Sequence, residues 1–147
     1  MRVAFFIHDP QKRISGWEAV IGKRRRVPGS FMGGARRDQL PHDLLQYIVE
    51  AGTGCEHGFW GLVAKGATFR STGRRLTKPG RALIARHRAE LQAAEYLPNE
   101  HLAAWHAGER TPIAAALEAA GRQWAAMSVG DRLVFRWPSM DGVIEPA

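Results

Sequence analysis

Hydrophobic and polar residues alternate at the start of the chain. Between Arg2 and His8, Val3, Phe5 and Ile7 fall on one side and Ala4, Phe6 and His8 on the other, and Asp9-Pro10 ends the run. Period-two spacing places successive side chains on opposite faces of a pleated strand, so this segment predicts a strand with two fairly apolar faces. A polar link through Lys12 and Arg13 leads to Gly16 and then Trp17-Glu18-Ala19-Val20-Ile21, where Trp17, Ala19 and Ile21 share a face. The link is short, which predicts a second strand antiparallel to the first. The strongest strand signal comes near the other end, where Leu133, Phe135 and Trp137 point one way and Arg132 and Arg136 the other.

Between these strands the period changes. Gly22 to Gln39, with its glycines, proline and crowded cations, predicts a mobile loop in which Val27 and Phe31 extend a strand only briefly. Pro41 suits a first helical turn, and Leu44, Leu45, Ile48 and Val49 recur at helical spacing until Gly52 and Gly54, giving a helix from about Pro41 to Ala51. Gly58 to Ala64 reads as a short helix packing Phe59, Trp60 and Val63 inward, with a strand as the alternative. After a basic loop at Ser71 to Lys78, Pro79 opens a long helix with Leu83, His87, Leu91 and Ala94 along one stripe. Pro98 is expected to end or kink it near Tyr96, with Asn99 capping a further piece up to Gly108. Thr111-Pro112 starts a last helix carrying Leu117, Gly121 and Trp124, where Gly121 is expected to permit close packing.

The order of elements predicts an α+β fold: a small antiparallel sheet of about three strands, two N-terminal and one C-terminal, packed on one face against about four helices. The last strand is expected to pair with the first or second. A length of 147 residues suits one domain over 1–147. Met1 to Pro10 lack the features of a secretory signal, and no apolar run approaches the roughly 18 to 20 residues of a membrane span. One cysteine, Cys55, permits no internal disulfide. A cytoplasmic protein without a membrane partner is the expectation.

Composition is ordinary for a globular chain, but charge is unevenly placed. Residues 1–90 hold 17 basic and 7 acidic side chains, net +10, and residues 91–147 hold 4 and 7, net −3. Such asymmetry favours an anionic partner, nucleic acid, an acidic protein or a phosphorylated ligand, and the leading expectation is a non-enzymatic protein that binds nucleic acid or another polyanion, although Arg-rich, Asn-poor usage is also what a GC-rich genome produces. The candidate polyanion-binding residues are Lys23, Arg24, Arg25, Arg26, Arg36, Arg37, Arg70, Arg74, Arg75, Lys78, Arg81 and Arg88. Arg81 and Arg88 lie seven apart, which would place them on one helix face beside the basic loop. Guanidinium forks and backbone amides at a helix start suit phosphate oxygens. The bland alternative is a solvated arginine surface.

Three further features carry possible chemistry. In a helix, His42, Gln46 and Glu50 form one polar stripe, and adding His57 gives two imidazoles and a carboxylate, the set His42, Glu50 and His57 with Asp43 in support. Those ligand types hold a divalent transition metal, which would make the chain a metal-dependent enzyme; no other cofactor is expected. Otherwise His42 and Asp43 start the helix and Gln46 and Glu50 are solvated. Cys55 with His57 suggests a nucleophile and base, against the plainer reading of a small turn cysteine. Some of Trp17, Trp105, Trp124 and Trp137 would give an accessory subunit its apolar interaction surface.

The run Leu40-Pro41-His42-Asp43-Leu44, with Val49-Glu50 and Gly58-Phe59-Trp60-Gly61-Leu62-Val63-Ala64-Lys65-Gly66-Ala67, resembles a segment of small bacterial proteins to which no activity is assigned. The resemblance covers about the central fifth of the chain. It implies that residues 40–67 act as one structural unit, and no function.

Overall fold

The computed structural model describes residues 1–11, 14–23, 25–29, 39–70 and 76–147. Five strands, β1 (Arg2–Asp9), β2 (Ile14–Ile21), β3 (Arg25–Pro28), β4 (Arg132–Arg136) and β5 (Val143–Glu145), make one antiparallel sheet in the order β3-β2-β1-β4-β5. Five helices lie between β3 and β4: α1 (His42–Thr53), α2 (Phe59–Ala64), α3 (Lys78–Arg86), α4 (Arg88–His106) and α5 (Pro112–Ala126). The fold is α+β, and the last long strand pairs with the first. Two strands exceed the expected three. β3 is four residues inside a glycine- and arginine-rich stretch, and β5 is three residues. Neither is long enough to display an alternating pattern; each is made by a neighbour that already offers a free ladder.

Register decides which face is core. Residues directly opposite in antiparallel strands share a face, so Ile144, Leu133, Phe5 and Trp17 form one row and Phe135, Val3, Ala19 and Val27 the next. These rows, partly exposed Ile144 apart, are buried under the helices. Phe5 sits at the centre, edge-on to Tyr47, Trp60 and Phe135 at ring-centroid distances of 6.0, 5.7 and 5.9 Å. The opposite sheet face is laced by charge: Arg2 pairs with Glu145, Arg132 lies 3.6 Å from Glu18, and the Arg132 guanidinium lies over the Phe6 ring at 5.0 Å.

α1 is buried continuously from Leu44 to Glu50, which makes it the central helix, between the sheet and α4 and α5. Gln46 and Glu50 are therefore not solvated. Pro98 lies inside α4, which runs on to His106 instead of ending near Tyr96. The proline removes one amide donor, but it and Ala94, four residues earlier, are both buried, and this packing carries the helix through. The break falls earlier, at His87, whose φ of −111° and ψ of 22° separate α3 from α4. Asn99 is thus mid-helix and not a cap. Thr111 does cap α5, its hydroxyl accepting from the Ala114 amide at 3.0 Å. Gly121 does not mediate packing: a Cβ there would meet open space, and the close contacts are made by Ala120 and Leu117. Among the described residues no helix is long and apolar enough to cross a membrane.

Candidate functional site

The turn between α1 and α2 is built around Glu50. Gly54 adopts a left-handed φ of 69° that ends α1, and the Cys55 amide returns to the Glu50 carbonyl at 2.9 Å. The Glu50 carboxylate then accepts from the amides of Phe59 (3.0 Å) and Trp60 (2.9 Å) and from Gln46 Nε2 (2.8 Å). It supplies from outside α2 what a capping side chain normally supplies from within, for the Gly58 cap position has no side chain to offer. A Cβ at Gly58 would lie 2.4 Å from Glu50 Oε1, so only glycine leaves room for the clamp. Burial pushes Glu50 up to about 7, against the hydrogen bonds of Gln46 and the α2 amides, which pull it down.

Beyond this clamp the turn presents His57 to the junction of α3 and α4. There His57, His87 and Glu90 converge, with one ligand atom from each within 4.8 Å of the others. His57 Nδ1 lies 2.6 Å from Glu90 Oε2 and His87 Nδ1 lies 3.1 Å from Glu90 Oε1, so one carboxylate bridges both rings. The imidazoles stack, 10° from parallel with centroids 3.6 Å apart. Side-chain exposure is 22% for His57, 17% for His87 and 56% for Glu90, a site at the surface with half-buried imidazoles. Hydrogen bonds from His87 and then His57 hold the Glu90 carboxyl below its ordinary value, and its place in the first turn of α4 adds the positive end of the helix.

The ligand set expected from sequence is corrected in two of its three members. Glu50 is spent on the α2 clamp, and His42 is an exposed side chain whose Nδ1 is 3.9 Å from Asp43 Oδ1. The Asp43 hydrogen bond raises His42 despite some desolvation. Asp43 itself is structural, accepting from Trp17 Nε1 at 3.0 Å, while its carbonyl accepts from Trp60 Nε1 at 3.1 Å. Only His57 joins the cluster. His87 and Glu90 were missed because His87 falls in an apolar stripe; the legible signal was the His87-x-x-Glu90 spacing, which puts both on one side of a helical turn. Burial, then the nearby Glu50 charge, pushes the Cys55 thiol up, which disfavours the thiolate that a nucleophile beside His57 would need.

Of the polyanion candidates, Lys23, Arg70, Lys78, Arg81 and Arg88 are exposed, and none forms an ion pair among the described residues. Arg81 and Arg88 stand on either side of the His87 break, so they do not share one continuous helix face. Arg25 and Arg26 belong to β3, with side chains outside the description, and Arg24, Arg36, Arg37, Arg74 and Arg75 lie outside the described residues. Trp17 and Trp124 are core residues and cannot form an apolar docking face; Trp105 and Trp137 are half-buried. A cavity of about 530 Å³ opens between α1, α2, α3 and α4, lined by His42, Gln46, Phe59, Phe69, Ile84, Leu91 and Glu95. His87, Leu91 and Glu95 recur at four-residue steps, so one side of α4 runs from the cluster to this cavity.

Comparison of the chain with known protein families, curated proteins and solved structures finds no match.

Proposed function

We propose that the chain binds a divalent transition metal through His57, His87 and Glu90. The observation that carries this reading is the convergence of two imidazoles and one carboxylate from two separate segments of chain, with one ligand atom from each within 4.8 Å of the others. An ion held by His57, His87 and Glu90 would keep a position for water and would lower the pKa of that water toward neutrality. The reading therefore extends to metal-assisted hydrolysis, with the cavity beside the cluster as the place for substrate.

Titration of metal-stripped protein with Zn(II), Co(II) and Ni(II) by calorimetry tests the reading. One ion per chain is expected, with His87→Ala and Glu90→Ala each weakening binding by at least about tenfold at unchanged far-ultraviolet dichroism. Absence of binding by the wild type at micromolar protein would refute it.

A second reading has its own support. Lys78 and Arg81 stand exposed in the first turns of α3, without carboxylate partners among the described residues, and Arg70 is exposed as well. These cations suit phosphate oxygens of nucleic acid or another polyanion, bound mainly through charge. Anisotropy of labelled RNA and DNA at low and physiological salt tests it; the expected binding weakens steeply with salt, and no retention at low salt removes the proposal.

A further inference from the structure

Lys65, one residue past α2, lies beside the cluster: its Nζ is 2.8 Å from His57 Nε2, and Glu56 Oε2 is 3.9 Å away on its other side. An ammonium has three donors and no acceptor, so His57 Nε2 must be the unprotonated, accepting nitrogen. The ring proton is then on Nδ1 and is donated to Glu90. This tautomer limits how a metal ion can arrive. An ion binding Nε2 needs the lone pair that the ammonium now occupies. An ion binding Nδ1 evicts the proton there; the ring nitrogen left to carry a proton is Nε2, where an N–H faces an ammonium and no hydrogen bond is possible. By either route Lys65 has to leave.

We propose that Lys65 is the resident cation of this site and that a divalent metal displaces it from His57 to Glu56. The inference rests on the metal-binding reading. A unit charge close to a doubly charged ion opposes binding even in water, so Lys65 sets a threshold that the metal must overcome. Glu56 lowers that threshold by receiving the ammonium. The lysine side chain is 41% exposed and the Glu56 side chain 78%, so the exchange needs only rotamer changes at the surface, with no repacking of the core.

The experiment compares Zn(II) affinity of the wild type, Lys65→Gln, Lys65→Ala and Glu56→Gln in a buffer that does not coordinate the ion. Removing the charge is expected to tighten binding on the order of tenfold in both Lys65 variants, and Glu56→Gln to weaken it severalfold. A second readout follows the displacement itself. The chain has four lysines, so ¹³C-methylation of their amines gives few resonances, and the one absent from Lys65→Gln belongs to Lys65. It is expected to shift on Zn(II) addition while the others stay. Equal affinities in all four proteins, or a Lys65 resonance that ignores bound Zn(II), overturns the inference and leaves the metal site standing. No binding by any protein removes both.

Discussion

Replacing Glu50 by Gln measures which of two opposed forces governs the buried carboxyl that joins α1 to α2. Burial favours the neutral acid, while Gln46 and the α2 amides favour the carboxylate, and the balance lifts the group from 4.5 to about 7. At 1.36 kcal/mol for each tenfold change in proton affinity, a rise from 4.5 to about 7 corresponds to about 3 kcal/mol. Because the folded-state value is raised, this stability is fully present below pH 4.5 and is lost as pH rises through about 7. The hydroxyl oxygen of the neutral acid can still accept, whereas the amide nitrogen only donates and would face an α2 or Gln46 N–H, so the variant should be the less stable protein in acid. As pH rises the difference should move in favour of the variant, by about 3 kcal/mol between about pH 4.5 and about pH 8.5. Urea denaturation of both proteins at intervals from about pH 4.5 to about pH 8.5 supplies the difference, in which other titrating groups cancel. A gap that opens in the other direction, with the wild type gaining as pH passes 4.5, would refute the reasoning and show that the amide hydrogen bonds outweigh burial. A flat gap would mean that Glu50 ionisation is not linked to folding at all.

Other perturbations address neighbouring links. Gly58→Ala drives a Cβ to 2.4 Å from Glu50 Oε1 and should cost about 2–4 kcal/mol by displacing the carboxylate from buried amides, read as a lower urea midpoint at unchanged slope. Phe5→Ala empties the centre of the aromatic cluster and should cost about 3–5 kcal/mol in the same assay. Thr111→Ala removes the cap of α5 and should cost about 1 kcal/mol; a neutral result would show that the Ala114 amide finds water instead.

Much of the architecture was legible because it depends on local periodicity. Alternation marked β1, β2 and β4, and helical spacing with a terminal proline or threonine marked α1 and α5. Length-limited β3 and β5 were not fully legible, since three or four residues carry too little pattern and their hydrogen bonds come from a neighbour. Pro98 misled for a related reason: helix propensity is a weak prior, and the buried packing of α4 overrode a local penalty.

Sequence by itself fixed the kinds of groups available: a basic first half, histidines and carboxylates within reach of one another along the chain, and a single cysteine. Tertiary structure decided which of them meet. His57 and His87 are thirty residues apart and are brought into ring-to-ring contact only because the α1–α2 turn faces the α3–α4 break. Glu50, on a stripe that looked solvated, was instead taken into the core to close a helix that has no cap of its own. A polar side chain's role depends on whether burial supplies it with partners, and those partners are set by chain segments that periodicity does not connect.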